Sequence, residues 1–266
     1  MRSGRSPVAE KINREAIVVL GWGRAILLQI AHPLVAQGVA EHSPFGRGAS
    51  DYARRAYGTI GAMLRLTFGT DAEAAATAAR INAIHARVQG TLRHRAGRFP
   101  PGTPYAASDP ALLLWVHATL VESLPLAYER FVGPLSPAEK DAYCVEAAEG
   151  AALLALPRQM APPNVTALDS YMKEMITGGT IAVTPEARTL ADALLRPPLG
   201  PASPLFGVAR LATLGLLPPA IRDAYGYAWS ARDERRFSRL CGAIRRLRGV
   251  APRLVREWPM ARRLRA

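Results

Sequence analysis

The sequence predicts an all-α protein organised as a single multi-helix domain. Its 266 residues are 49% hydrophobic, enough to bury one substantial core and too apolar for a disordered chain. Ala and Leu outnumber Val and Ile, and no run alternates apolar and polar residues over more than a few positions, as a half-buried strand would. Apolar residues instead recur at three- and four-residue steps behind recognisable helix-start signals.

The first helix is expected from about Val8 to Leu20, with a break at Gly21-Trp22-Gly23. Arg24 then opens a second apolar segment through Val39, and Pro33, which cannot donate a backbone hydrogen bond, should kink it. Glu41 to Gly46 reads as a loop. Ser50-Asp51 caps a third helix over roughly 51–68, whose inner face is expected to carry Tyr52, Arg55, Thr59, Met63 and Leu66. Asp71 begins a helix containing His85, and a Gly-, Pro- and Arg-rich loop covers Gly90 to Ala107. Ser108-Asp109-Pro110 starts a strong helix with Leu113, Leu114, His117, Leu120 and Val121 on one face. Ser136-Pro-Ala-Glu139 is a capping box for a helix toward Leu156. A loop follows from Pro157 to Thr166, then a helix over about 167–177, and Thr184-Pro185-Glu186 opens another that ends near Arg196. The stretch 197–219 is punctuated by Pro and Gly.

Composition excludes several functional classes. Cys144 and Cys241 are isolated, so they offer neither a paired metal-ligand spacing nor a disulfide framework. No secretory signal is visible at the polar N-terminus, and no window of about twenty residues is free of charge and Pro. The expectation is a cytoplasmic protein, peripheral to a membrane if it meets one. The net charge of +13 is concentrated late in the chain: after Ala231, twelve arginines stand against Asp233, Glu234 and Glu257, a net +9. Leu240, Ile244, Leu247 and Leu254 interleave with those arginines, an amphipathic pattern that fits a docked helix with a solvated basic face. An anionic membrane surface ranks next as its partner, and nucleic acid is disfavoured for want of aromatic interleaving or a recognised motif. These features divide the chain into an N-terminal extension (1–14), a helical domain (15–230) and a basic amphipathic segment (231–266) docked on it.

The histidines are the candidate chemistry. His85 shares the helical stripe of Ile81, Ile84 and Val88, and a neutral imidazole in an apolar stripe needs a hydrogen-bond partner or a metal. The alternative is a core histidine bonded to a backbone carbonyl. His117 lies on a second apolar face and ranks behind His85 as a ligand. His32, beside Pro33, either lines a pocket or satisfies the backbone freed by the proline. His42, next to Glu41, reads either as half of an acid/base pair or, the preferred reading, as a loop hydrogen bond, and His94, between Arg93 and Arg95, as exposed. The paired Glu-x-x-His motifs of a di-iron bundle are missing, as are a G-x-G-x-x-G fingerprint, a P-loop and a nucleophile elbow.

A series of motifs gives these residues a context. Gly23 to Pro33, Gly38 to Ser43, Arg55-x-x-x-Thr59, Phe68-Gly69, His85-Ala-Arg-Val88, Asp109-Pro110, Trp115 to Leu120 and Leu217 to Trp229 occur in this order. Together they resemble the MpaB-type oxygenase family, which includes the catalytic domain of the latex clearing proteins, or rubber oxygenases, over about residues 15–230 and the basic tail. The resemblance implies an all-helical fold with a buried pocket for haem b, one axial histidine on the iron and dioxygen chemistry on the opposite face. It implies His85 as the axial ligand, with Arg55 and Thr59 bordering the pocket. Where the family can carry a distal Lys directly before the Thr, this chain has Gly58. Glu41 is the nearest match to the catalytic carboxylate, placed to remove an allylic proton. A non-covalent haem also needs cations for its propionates, and Arg24, Arg54 and Arg55 are candidates.

The expected function is a haem-dependent oxygenase acting with dioxygen on an apolar, isoprenoid-like substrate, by oxygenation or cleavage of a C=C bond. Two other classes stay open: a non-catalytic carrier of haem or another lipophile, and a helical scaffold binding anionic partners through the basic tail.

Overall fold

The computed structural model describes residues 7–43, 49–196 and 204–262, with backbone only for 49–56, 204 and 205. In chain order the elements are α1 (Pro7–Asn13), a 3-10 turn (Ala16–Val19), α2 (Leu20–Ile30), α3 (Pro33–His42), α4 (Ala49–Phe68) and α5 (Asp71–His85). They continue with β1 (Gln89–Thr91), β2 (Pro104–Ala106), α6 (Pro110–Phe131), α7 (Pro137–Leu153), a 3-10 turn (Arg158–Met160), α8 (Val165–Thr177) and α9 (Pro185–Leu195). The last are α10 (Pro204–Leu216), α11 (Pro219–Ala224), α12 (Ala231–Val250), α13 (Arg253–Arg256) and α14 (Pro259–Arg262). The mainly helical architecture agrees with the all-α reading. Among the described residues the exception is the antiparallel β1–β2 ribbon, inside the stretch expected to be loop, with Gly90 opposite Tyr105.

The fold is built around α6. Asp109 accepts the Ala111 N–H at its start and Pro110 occupies the first turn, where a missing N–H costs nothing. Trp115, Ala118, Thr119, Ser123, Ala127 and Phe131 are wholly buried along it, because neighbours surround it: α2 packs along its length, α1 and α7 flank it, and α8 and α12 close over it. By length and composition α6 could cross a membrane. A helix enclosed by other helices needs the same apolar surface on every side. The main core gathers Leu27, Leu28, Trp115, Leu168, Leu190 and Phe237, and a smaller cluster of Leu34, Leu92, Tyr105 and Leu112 lies under the ribbon.

The expected break at Gly21-Trp22-Gly23 is not there. The chain breaks earlier, after Asn13, and α2 runs straight through both glycines. Their role is close approach: a Cβ on Gly21 would sit 2.8 Å from the Ala127 Cβ and 2.9 Å from the Ser123 carbonyl oxygen, and one on Gly23 would lie 2.1 Å from Thr213 Oγ1. The pair lets α2 lie against α6 on one side and α10 on the other. The break expected at Pro33 is real and larger than a kink, since α2 and α3 meet at 103°. Trp115 Nε1 donates to the Leu28 carbonyl (3.2 Å) and Tyr225 Oη to that of Leu27 (2.7 Å), supplying donors where α2 ends.

Other boundaries moved for identifiable reasons. Glu41 and His42 belong to α3 rather than to a loop, while Pro44, Phe45 and Gly46 lie outside the described residues. Residues 204–216 and 219–224 are helical although the stretch is rich in Pro and Gly, because Pro204 and Pro219 stand in first turns, where proline starts a helix instead of breaking one. The expected capping box at Ser136–Glu139 is present, and two more, Thr70–Glu73 and Ser230–Asp233, start α5 and α12. In the basic segment α12 docks on α10 and α6, burying Phe237 and Cys241.

The glycine contacts give a measurable outcome. Gly21→Ala should lower stability by about 1–3 kcal/mol through overpacking against backbone, read as a fall in Tm. Gly150→Ala, in α7 where a Cβ meets nothing within 4 Å, should be neutral or stabilising by about 0.5–1 kcal/mol.

Candidate functional site

A cavity of about 290 Å³ lies between α1, α4, α5, α6 and α7, near the lower end of the range for ligand sites. Its apolar wall includes Trp22, Met63, Phe68, Leu113, Leu120 and Val121. Two imidazoles enter it, His85 from the last residue of α5 and His117 from the middle of α6. Sequence reasoning set these two against each other as alternatives; the structure brings both to one cavity. Burial lowers the pKa of both, that of His117 to about 4. Each is therefore neutral at physiological pH, with a lone pair available for coordination.

The stripe that led to His85 differs in detail. Ala74, Thr77 and Ala78 form the buried part of α5, and Ile84, expected beside His85, is 56% exposed. The helix ends at His85, so Val88 follows the turn after the helix and the helical period no longer governs it.

The carboxylates that line the cavity, and the Tyr143 hydroxyl, have partners. Glu10 binds Arg14 (2.6 Å) and Glu149 binds Arg158 (2.5 Å). Glu15 receives two hydrogen bonds from Arg248. Glu146 accepts the Ala9 N–H at the start of α1, and Tyr143 Oη donates to Asn13 Oδ1 (3.2 Å). Among the described residues neither cavity imidazole has a hydrogen-bond partner, in contrast to His32 and His42. Glu15, Glu146 and Trp258 were not legible as lining residues: they come from segments far apart in sequence and carry no motif.

Three candidate site residues lie elsewhere. The Arg24 residue is 2% exposed and its guanidinium makes four hydrogen bonds. It makes a two-pronged pair with Glu122 (2.6 and 2.7 Å) and donates to Ser123 Oγ (2.6 Å) and the Leu216 carbonyl (2.8 Å). With four of its five N–H groups committed to α6 and α10 and its charge paired with Glu122, it is poorly placed to hold a propionate. Thr59 is exposed, as are Tyr57 and Gly58 before it, so the expected inner face holds at Met63 and Leu66 and fails at Thr59; the side chains of Tyr52 and Arg55 lie outside the described residues. Glu41 does not line the cavity. It accepts from Tyr105 Oη, Gln37 Nε2 (3.0 Å) and Arg93 Nε (2.9 Å). These donors, Tyr105 foremost, hold its pKa below the ordinary carboxylate value and make it a poorer base. The side chains of Arg54 and Arg55 lie outside the described residues.

The remaining histidines have structural roles. His32 caps α3, its Nδ1 accepting the Leu34 N–H (3.3 Å) with the ring against Phe99. His42 Nε2 bonds the Gln89 carbonyl (3.1 Å), tying α3 to the ribbon, and His94 is exposed.

This geometry can be set beside related proteins. Residues 10–246 match the model of a family described as the ER-bound oxygenase mpaB/B′ and rubber oxygenase catalytic domain. The chain belongs to this family. Two mycobacterial relatives, the uncharacterized proteins Rv2237 of Mycobacterium tuberculosis and Mb2261 of Mycobacterium bovis, are each 30% identical over 239 residues, covering 88% of this chain and 89% of theirs. No solved structure matches it. The mpaB/rubber oxygenase match supports oxygenase chemistry in general, and with it a substrate and dioxygen as reactants.

Two outcomes check these assignments. Arg24→Met should cost about 3–5 kcal/mol, because it strands the Glu122 carboxylate against the core, and the loss should appear in denaturant unfolding with or without a bound ligand. His32 has a folded pKa of about 4, lowered chiefly by burial. Between pH 6.5 and 4 the unfolded chain takes a proton that the folded one refuses, so stability is full above 6.5 and falls as the pH drops toward 4. On the order of 2–3 kcal/mol is at stake. His32→Asn, which caps without titrating, should flatten that part of the Tm-against-pH curve.

Proposed function

We propose that this mpaB/rubber oxygenase family member is a haem b-dependent oxygenase that uses dioxygen to oxygenate or cleave a C=C bond in an apolar, isoprenoid-like substrate. The observation that carries the reading is the pair of neutral, unpartnered imidazoles, His85 and His117, in one apolar cavity. The donor set fits a porphyrin better than a protein-only metal site. Among the described residues no three of His, Cys, Asp and Glu gather as a ligand cluster, so an iron here would take most of its ligands from a macrocycle and one or two from histidine.

His85 would hold the iron, as the family resemblance implies, and His117 would face the same cavity as a second nitrogen donor. A bound haem would supply the iron centre at which dioxygen is activated. Trp22, Met63, Phe68, Leu113 and Leu120 give an alkene an apolar surface and exclude water from it. Glu15 and Glu146, tied to Arg248 and the α1 backbone, do not act as free bases in the cavity. Arg54 and Arg55 remain the candidates for the propionates. Arg24 and Glu41 are withdrawn from the site because their polar atoms are engaged elsewhere, and Thr59 because it is exposed.

The test is the visible spectrum of the haem-supplemented protein. A Soret band is expected for the wild type. His85→Ala should lose it while far-UV circular dichroism stays helical, whereas His117→Ala should keep haem with an altered band. Full occupancy in His85→Ala would move the axial role to His117, and a wild-type protein that takes up no haem would overturn the reading. Oxygen uptake with an alkene then separates an oxygenase from a carrier, which would bind without turnover.

A further inference from the structure

Of the large apolar side chains exposed among the described residues, four fall in one short stretch: Leu247 (67% exposed), Val250 (84%), Leu254 (71%) and Val255 (70%). Leu247 and Val250 lie at the C-terminal end of α12, and Leu254 and Val255 on α13 directly after it. Arg232, Arg236, Arg239, Ala243, Arg246 and Val250 follow one another at steps of four and three residues, and all are exposed, so they share one solvent-facing line along the helix. Among the described residues none of these arginines, nor Arg253, forms an ion pair. The two carboxylates of α12 sit in its first turn, where Asp233 is held by Ser230 and Glu234 by the Trp229 indole. Arg245 and Arg248 behave differently, bonding the Glu129 carbonyl and Glu15.

We propose that this face binds an anionic lipid bilayer, with the arginine stripe on the headgroups and Leu247, Val250, Leu254 and Val255 inserted at the headgroup–acyl boundary. Arginines outside any ion pair, only Arg232 and Arg236 of them lying near a carboxylate (Asp233), beside exposed aliphatic side chains match a surface that is negative outside and apolar beneath. A nucleic acid would engage the arginines and leave the four aliphatic groups wet. A second copy would bring the same positive stripe against itself.

The segment that carries the patch also reaches the cavity. Trp258, three residues beyond Val255, lines it, and Arg248, one residue beyond Leu247, holds the lining residue Glu15. If the proposed function is right, this places the oxygenase cavity beside the phase in which an isoprenoid-like substrate dissolves; the membrane contact itself does not depend on that reading.

The experiment is co-sedimentation of the full chain with vesicles of phosphatidylcholine alone and of phosphatidylcholine with phosphatidylserine, at low and physiological salt. Because Phe237 and Cys241 of α12 are core residues, the probes are surface substitutions, with thermal melting as the check on folding. The wild type should bind the anionic vesicles and scarcely the neutral ones. Arg239→Gln with Arg246→Gln should weaken binding roughly 20- to 30-fold at low salt and reduce its salt dependence, at about 1 kcal/mol per arginine. Leu254→Ser with Val255→Ser should weaken it about tenfold or more with the charge unchanged. The proposal falls if the wild type ignores anionic vesicles, if it binds neutral ones equally, or if the aliphatic variant binds as wild type does. Tighter binding to an oligonucleotide that is indifferent to the aliphatic variant would also overturn it, assigning the stripe to nucleic-acid phosphates. The readout needs neither haem nor turnover, so its failure and that of the proposed function are separate events.

Discussion

One buried guanidinium sets the geometry on which the rest of the fold depends. Arg24 projects from α2, pairs with Glu122 and Ser123 on α6, and reaches the carbonyl at the end of α10, fixing three helices by a single side chain. A buried ion pair adds little net stability, since both partners must leave water, but losing one partner is costly. Its value here is specificity. The glycines on either side of Trp22 allow the helices to approach, and the arginine favours the rotation and height of α2 at which its bonds to α6 and α10 form together. With α2 fixed on α6, Trp22 faces the cavity and the α2–α3 turn brings His32 over Phe99.

The cavity follows from this frame. His117 stands on α6, the helix that the others surround, and His85 at the end of an element packed mainly on its neighbours α4 and α7. Around them, the carboxylates and the Tyr143 hydroxyl are held by other residues of the chain. Two neutral nitrogen donors are thus left against an apolar wall. Such an arrangement favours a ligand that is mostly apolar and accepts an imidazole at its centre, as a metalloporphyrin does.

Much of the fold was legible because its signals are local. Asp109-Pro110, Ser136 with Glu139, and Thr184-Pro185 each solve the unsatisfied N–H groups of a helix start within four residues, and each gave a helix boundary. The glycines of α2 and the prolines of α10 and α11 misled for one reason: their effect depends on what packs against them or on their place within a turn. Arg24 shows the same limit for the site. Its charge and its apolar neighbours suit a propionate as well as a carboxylate, and only the position of Glu122, 98 residues away, decides between them. Thr59 shares the stripe of Met63 and Leu66, yet periodicity gives direction without depth, so it could not say where along α4 the protein body begins. His85 and His117 were legible as residue types on apolar faces; that they meet in one cavity was not.

The cavity also has a history in time. Its wall draws on Asn13 and Glu15 from the beginning of the sequence and on Trp258 from near its end. These segments are stitched together by the Glu15–Glu257 bridge, by the Trp258 N–H on the Arg14 carbonyl, and by Arg248 on Glu15. During synthesis the early residues must wait for more than two hundred others before their partners emerge from the ribosome. Contacts so distant in sequence form late, after the cost of closing the intervening chain has been met. The helices around α6 can assemble first, and the pocket is completed last. Any cofactor it holds therefore meets a complete wall only once Trp258 has been synthesised and has docked on the Arg14 segment.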